Sequence, residues 1–242
     1  MLTSGELKRY AHMRRLKRID SIWKDYLQDL VLHLLYRHTP SLVFRGGTCL
    51  WKVYKGDRFS EDLDLRAENI PEGIAEYLAG ELEYLGFSVR ILKRKLTANM
   101  LFLSFGITSR AHPREITISV ELLASEGALE SVERAIIASP YPDIPPIEVL
   151  VPKLEELALD KVSSIYDRDK ARDVHDLYIL LKRGARPDPK LLRSRVPGFD
   201  PGVFRERMEA KRRGWRSLEG LVVTALPPID KEIGFIIGVL GR

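Results

Sequence analysis

The sequence predicts an α+β fold: a small mixed β-sheet flanked by helices, followed by a helical C-terminal part. Three observations carry this. Strand-like and helix-like periodicities alternate through the first part of the chain, with single helices between strands. A proline-rich segment, Pro140–Pro146, then interrupts the pattern. Beyond it the apolar residues recur at helical spacing. The expected organisation is therefore an α+β domain over residues 1–145 and a helical domain over residues 146–242.

Taken in order, Leu7 to His38 reads as helix, because Leu16, Ile19, Trp23, Tyr26, Leu27, Leu30, Leu34 and Leu35 recur at three- and four-residue steps. Thr39-Pro40 ends it. Ser41–Arg45 is a short apolar strand, Gly46-Gly47 breaks it, and Thr48–Tyr54 fits a short helix. After the turn Lys55-Gly56-Asp57, residues Arg58–Arg66 alternate as a strand. Pro71–Leu85 reads as helix with Gly86 as its stop. Strands are expected at Phe87–Lys93, Met100–Thr108 and Glu115–Leu123, and a helix from Leu129 to Ile137. Past the prolines, Pro152–Tyr166 and Lys170–Lys182 are helical, the second closed by Gly184. Leu221–Leu226 and Ile233–Leu240 read as further helices.

Composition narrows the function classes. At 242 residues, 45% hydrophobic and 30% charged, the chain has enough apolar material for a core and is not of disordered type. A single cysteine, Cys49, excludes an internal disulfide framework and suits a reducing cytoplasm, the expected location. Cys49 itself reads as a small buried apolar residue. No stretch is long and apolar enough to span a membrane. The five histidines lack metal-ligand spacing, so zinc is not expected. Net charge is +5, but between Lys182 and Arg216 twelve Lys/Arg face four Asp/Glu. Such a basic region either holds a phosphate backbone or is a solvated surface.

The chemistry-bearing stretch is Phe44-Arg45-Gly46-Gly47-Thr48 followed by Arg58-Phe59-Ser60-Glu61-Asp62-Leu63-Asp64-Leu65. On a strand, Ser60, Asp62 and Asp64 share one face and Phe59, Leu63 and Leu65 the other. Side-by-side carboxylates repel unless a cation lies between them, and hard oxygen ligands suit Mg²⁺ (or Mn²⁺) bridging to phosphate. Gly46 and Gly47, between a strand and a helix, offer bare backbone N–H groups to a phosphate, with the Thr48 hydroxyl beside them. The same residues also read as a plain turn with Thr48 as helix cap. Glu121 is the candidate third acid. Ile116, Ile118, Val120 and Leu122 take one face of its strand, and Thr117, Ser119 and Glu121 the other.

Downstream, Leu154, Leu157, Ala158, Lys161 and Ile165 form one helical stripe, so Lys161 either snorkels to solvent or reaches a buried anion. On the next helix, Arg172 and Asp176 are spaced i,i+4 and Asp173 and Asp176 i,i+3, compatible with a surface ion pair or with site acids.

Together these blocks resemble the AbiEii/AbiGii-type nucleotidyltransferase toxins of the DNA polymerase β-like nucleotidyltransferase superfamily. The first block, residues 44–65, looks like that family's first motif. Glu155-Glu156-Leu157-Ala158-Leu159-Asp160-Lys161, then Arg168 and Arg172-Asp173-Val174-His175-Asp176-Leu177-Tyr178, looks like its lysine helix and its Arg-Asp-x-x-Asp-Leu-Tyr helix. Thr48 departs from the serine common after the glycine, though the hydroxyl survives. The resemblance implies a nucleotidyltransferase-like sheet and an NTP substrate. It assigns Asp62 and Asp64 to metal, with Glu121 added on strand register more than on motif, and Gly46, Gly47, Thr48, Ser60 and Lys161 to the nucleotide, with Asp173 and Asp176 as nucleotide-site or structural acids. It also implies RNA (tRNA) as acceptor, held by residues 182–216, and a cognate antitoxin. Kinase-like phosphoryl transfer by the same residues, or a non-catalytic nucleic-acid-binding protein, are the rival readings.

Overall fold

The structure, a computed structural model, describes residues 2–124 and 132–241. Two compact units are present: Met1–Cys49 with Glu61–Val151, and Leu50–Ser60 with Pro152–Arg242. Where one crossing near residue 145 was expected, the chain passes between the units after Cys49, Ser60 and Val151.

The first unit holds α1 (Ser4–Ala11), a 3-10 turn (His12–Arg14) and α2 (Ile19–His38). The single helix expected from Leu7 to His38 is broken here. Arg15 adopts a left-handed φ of 57°, which turns the chain and aims Arg14 inward. Arg14 Nη1 donates to both oxygens of Asp25 at 2.7 Å, and Nη2 lies 3.0 Å from Asp29. Tyr141 and Ser139 hydroxyls donate to the same two carboxylates. Asp25 and Asp29 are fully buried on α2, so their removal from water is compensated by this cluster. The helical stop at Gly86 is as expected, with φ +89° after α4 (Ile74–Tyr84).

The strands are β1 (Val43–Arg45), β2 (Asp62–Ala67), β3 (Ser88–Leu96), β4 (Met100–Ser109), β5 (His112–Ala124), β6 (Val132–Ile137) and β7 (Ile147–Pro152). They lie in one sheet in the order β3-β4-β5-β2-β1-β7-β6. β2 runs parallel to β5 and antiparallel to β1, so the sheet is mixed. Two expectations fail at its far side. Val132–Ile137 is strand rather than helix, because pairing beside β7 overrides the helix propensity of its Glu, Arg and Ala; residues 129–131 lie outside the described residues. Ile147–Pro152, expected after the domain break, is also strand, placed by its parallel pairing with β1.

Side chains of Leu63, Leu65, Leu101, Leu103, Phe105, Ile118, Val120 and Leu122 leave one face of the sheet fully buried. Helices α2 and α4 pack beside β5 and β3. Each such side chain contributes roughly 1.5–3 kcal/mol by leaving water. The alternate residues of β2, β4 and β5 form the opposite, largely polar face.

α3 (Gly46–Lys52) begins in the first unit and ends in the second, and an irregular segment follows. Strand was expected from Arg58 to Arg66, but β2 begins only at Asp62. Arg58 instead bridges Val222, the Phe59 amide donates to the Leu221 carbonyl, and the Val223 amide donates to the Asp57 carbonyl. Leu221–Leu226, where helix was expected, is accordingly irregular, with Val222 held in the single bridge. The remainder is α5 (Leu154–Asp167), α6 (Ala171–Lys182), α7 (Pro189–Arg195), α8 (Pro201–Glu209), a 3-10 stretch (Ala210–Leu218) and α9 (Ile229–Leu240). Asp188 and Asp200 cap α7 and α8 through their side chains, each with proline next in line. Gly184, at φ +106°, ends α6 as expected. Among the described residues no helix is long and apolar enough to cross a membrane.

Candidate active site

On the polar face of the first unit, register decides which residues are neighbours. Asp64 of β2 pairs with Glu121 of β5, and Asp62 with Ser119. Residues in register on adjacent strands project from the same face about 4.8 Å apart. The structure therefore brings Asp62, Asp64 and Glu121 together. Asp62 is exposed and the other two are half-buried.

The glycine turn lies against this row. Gly46 has φ +74°, and a Cβ there would overlap Asp64 Oδ2 and lie 2.8 Å from its Cγ. Only glycine fits, both for its left-handed backbone and for the carboxylate across it. One residue further than Gly47, the buried Thr48 donates its hydroxyl to the Asp62 carbonyl at 2.5 Å. Thr48 thus sits within α3 rather than capping it, and its hydroxyl fastens the turn to the acid-bearing strand. Cys49 follows, fully buried, its thiol pushed up by burial and by the negative field of Asp64 and Glu133. This is the expected inert, apolar role.

Among the described residues, no three His, Cys, Asp or Glu side chains close on a single metal position. The donor set still fits Mg²⁺, which takes one or two protein carboxylates and completes its shell with water and phosphate oxygens.

Ser60 is not on β2. It lies in the second unit, buried, so the expected Ser60–Asp62–Asp64 face is reduced to its two acids.

Lys161, Asp173 and Asp176 also belong to the second unit, where they form a buried ion network. Lys161 Nζ is 3.0 Å from Asp173 Oδ1 and 2.7 Å from Asp176 Oδ2. Arg58 donates Nε and Nη2 to the two oxygens of Asp176, both at 2.9 Å. Arg168 makes the same two-pronged contact with Asp173 at 2.8 Å. The anion that Lys161 reaches within this unit is thus a pair of carboxylates. Burial opposes ionisation of Asp176, but Arg58 and Lys161 overcome it and hold the carboxyl far below its usual range. Asp173 is likewise held down by Lys161 and Arg168 against the effect of burial. Asp173 and Asp176 face inward, so the surface pairing with Arg172 does not form.

Sequence reasoning missed how far these charges are buried. Arg58 was legible only as the first residue of an expected strand and of the block Arg58–Leu65. His175 was passed over, yet it is fully buried with Nδ1 2.8 Å from Glu232 and Nε2 2.9 Å from Asp57. Burial alone would lower its pKa, but the two carboxylates raise it to about 9. Asp57 also accepts from Thr224 and lines a cleft of about 370 Å³ with Lys55, Ile179, Lys182 and Arg183.

Within Lys182–Arg216, half of the twelve cations are committed inside the unit. Arg183 and Arg186 donate to backbone carbonyls, Arg195 to Glu156 and Asp160, and Arg212 to Asp230. Lys211 is buried on the Arg168 carbonyl, and Arg205 pairs with Glu209. The stretch is a folded helical unit more than an open basic strip.

Solved structures place the fold. A proposed nucleotidyltransferase from Helicobacter pylori superposes with a TM-score of 0.63 at 20% identity, over 93% of this chain and 96% of that one. JHP933 from Helicobacter pylori gives 0.56 at 19% identity, over 91% and 90%. No curated protein matches the sequence. The architecture is thus of nucleotidyltransferase type. The chain belongs to the AbiEii family of nucleotidyl transferase toxins of type IV toxin–antitoxin systems, whose model matches residues 33–231.

Proposed function

We propose that the protein transfers a nucleotidyl group from an NTP to a hydroxyl of RNA, in the cytoplasm, as the toxin of a toxin–antitoxin pair. The observation that carries the site assignment is the register of Asp64 with Glu121, beside Asp62, with the Asp64 carboxylate lying across Gly46. Family membership supports the reaction class.

Asp62 and Asp64 would hold Mg²⁺, which supplies charge neutralisation on the triphosphate. Glu121 would accept the proton of the attacking hydroxyl or orient that hydroxyl. The oxygen then bonds to the α-phosphorus, the bond from α-phosphorus to the bridging oxygen breaks, and pyrophosphate leaves. Gly47, lacking a side chain, would let the phosphates approach the backbone closely, while the space at Gly46 is taken by the Asp64 carboxylate. Lys161 is engaged by Asp173 and Asp176 within the second unit, so this reading gives it no part in the chemistry.

The test is incubation with purified tRNA, Mg²⁺ and NTPs labelled at the α- or γ-phosphate. Label entering RNA from the α-position supports this reading. Label from the γ-position alone would identify phosphoryl transfer instead. Tight RNA binding with no transfer of either label would sink the enzymatic reading.

A further inference from the structure

The polar face of the sheet does not end at the acids. Following the register outward, Glu121 of β5 pairs with Phe102 of β4, and Phe102 with Lys95 of β3. The next row runs Asp62, Ser119, Ser104, Lys93. Alternation on β4 sends Leu101, Leu103 and Phe105 into the core and turns Phe102, Ser104 and Gly106 to the opposite face, where Ser104 and Gly106 are themselves buried. Phe102 is thus a half-buried aromatic ring on a polar face, one strand from Glu121.

Beyond it, β3 is the edge strand and carries Arg90, Lys93, Arg94 and Lys95 with no acid. Arg90 is paired with Glu115, and Arg94 with Glu76. Lys93 and Lys95 are exposed and make no ion pair among the described residues. Lys93 Nζ rests 5.5 Å from the centroid of the Phe102 ring. An exposed cation–π interaction is worth only about 0.5–1 kcal/mol, so the lysine is readily drawn off by a phosphate.

An aromatic platform flanked by unpaired lysines is what recognition of unstacked nucleotides requires: a ring for the base and cations for the backbone. From Lys95 to Asp64 is three strand spacings, about 14 Å, a distance a short single-stranded segment can cross. We propose that the unpaired end of the acceptor RNA lies across this face, with a base stacked on Phe102 and its backbone held by Lys93 and Lys95. The terminal hydroxyl is thereby delivered to Glu121 and the Asp62/Asp64 pair. The inference rests on the proposed transferase site and adds its acceptor path.

The experiment measures affinity of the full chain for a labelled RNA oligonucleotide with an unpaired 3′ end, over a range of salt concentrations. NTP binding with Mg²⁺ is followed in parallel. Phe102→Ala is expected to weaken RNA binding tenfold or more, with Phe102→Tyr retaining it. The double variant Lys93→Ala/Lys95→Ala should lower the salt slope by about 1.4, at about 0.7 for each phosphate no longer neutralised. NTP binding should be unchanged in all three. Asp62→Ala should show the reverse pattern, losing NTP binding and transfer while holding RNA. RNA affinity unaltered in both β3/β4 variants overturns the proposal, and a parallel loss of NTP binding in them does so too. Retained transfer in Asp62→Ala, with RNA binding still lost in the Phe102→Ala variant, would refute the transferase site and leave the RNA surface standing.

Discussion

Gly46 packs against the carboxylate of Asp64, so close that a Cβ at position 46 would overlap its Oδ2. The turn and the acid are therefore one construction. The backbone of Gly46 is left-handed, which a side chain disfavours by roughly 1–2 kcal/mol even before the overlap.

Gly46→Ala is accordingly expected to displace Asp64 and to remove nucleotidyl transfer. A melting-temperature drop of several degrees should accompany the loss. Transfer at wild-type rate in this variant would show that the position of Asp64 is immaterial to the chemistry.

Thr48 fastens the same turn to β2 through its hydroxyl. Thr48→Ser keeps the donor and should be near neutral, whereas Thr48→Val should cost about 1 kcal/mol of stability. Chemical denaturation of the two variants separates these outcomes, and equal stability would mean that the hydrogen bond to the Asp62 carbonyl contributes nothing.

Asp62→Ala and Asp64→Asn remove charge from positions outside the core. Each is expected to reduce transfer by a factor on the order of 10³ while leaving the unfolding transition within about 1 kcal/mol of wild type. Single-turnover kinetics with labelled NTP, alongside thermal unfolding, provides both readouts. Activity within tenfold of wild type would remove these carboxylates from the mechanism.

The network around Asp176 behaves differently. Replacing Asp176 by Ala leaves Arg58 and Lys161 buried with one fewer anion, and such a change costs about 3–5 kcal/mol. Arg58→Met strands Asp176 in part, since Lys161 still pairs with it, and should cost less. Denaturant midpoints that rank the two variants in the opposite order would contradict this apportioning.

His175 links stability of the second unit to pH. Its pKa, raised from 6.5 to about 9, means that folding favours the protonated ring. The stabilisation is fully present below pH 6.5 and is lost as pH rises through 9. The shift corresponds to about 3 kcal/mol at most. His175→Gln should be less stable at pH 6 and should lose this alkaline slope, which urea unfolding between pH 6 and 10 would reveal. An unchanged slope would mean that the ring is neutral in the folded state.

Much of this protein was determined locally. The alternation Asp62-Leu63-Asp64-Leu65 has a two-residue period, so any sheet burying Leu63 and Leu65 must turn both acids outward. The run Ile116 to Leu122 fixed Glu121 on a polar strand face by the same arithmetic, and the resemblance of residues 44–65 and 155–178 to AbiEii-type toxins identified the family. Those are properties of neighbouring residues and survive without knowledge of the rest of the chain.

What only the tertiary structure decided is pairing between residues far apart in sequence. That Asp64 faces Glu121 depends on β2 inserting beside β5, 57 positions later, which no local period specifies. Arg58, His175 and Lys161 owe their roles to partners brought in across long separations, such as Asp176, Glu232 and Asp173. Strand pairing likewise converted Val132–Ile137 from expected helix to strand, and withdrew Ser60 from the acid face to the segment paired near Leu221. Local sequence sets which way a side chain points on its own element. Burial and charge compensation, settled only when the elements meet, set what that side chain touches.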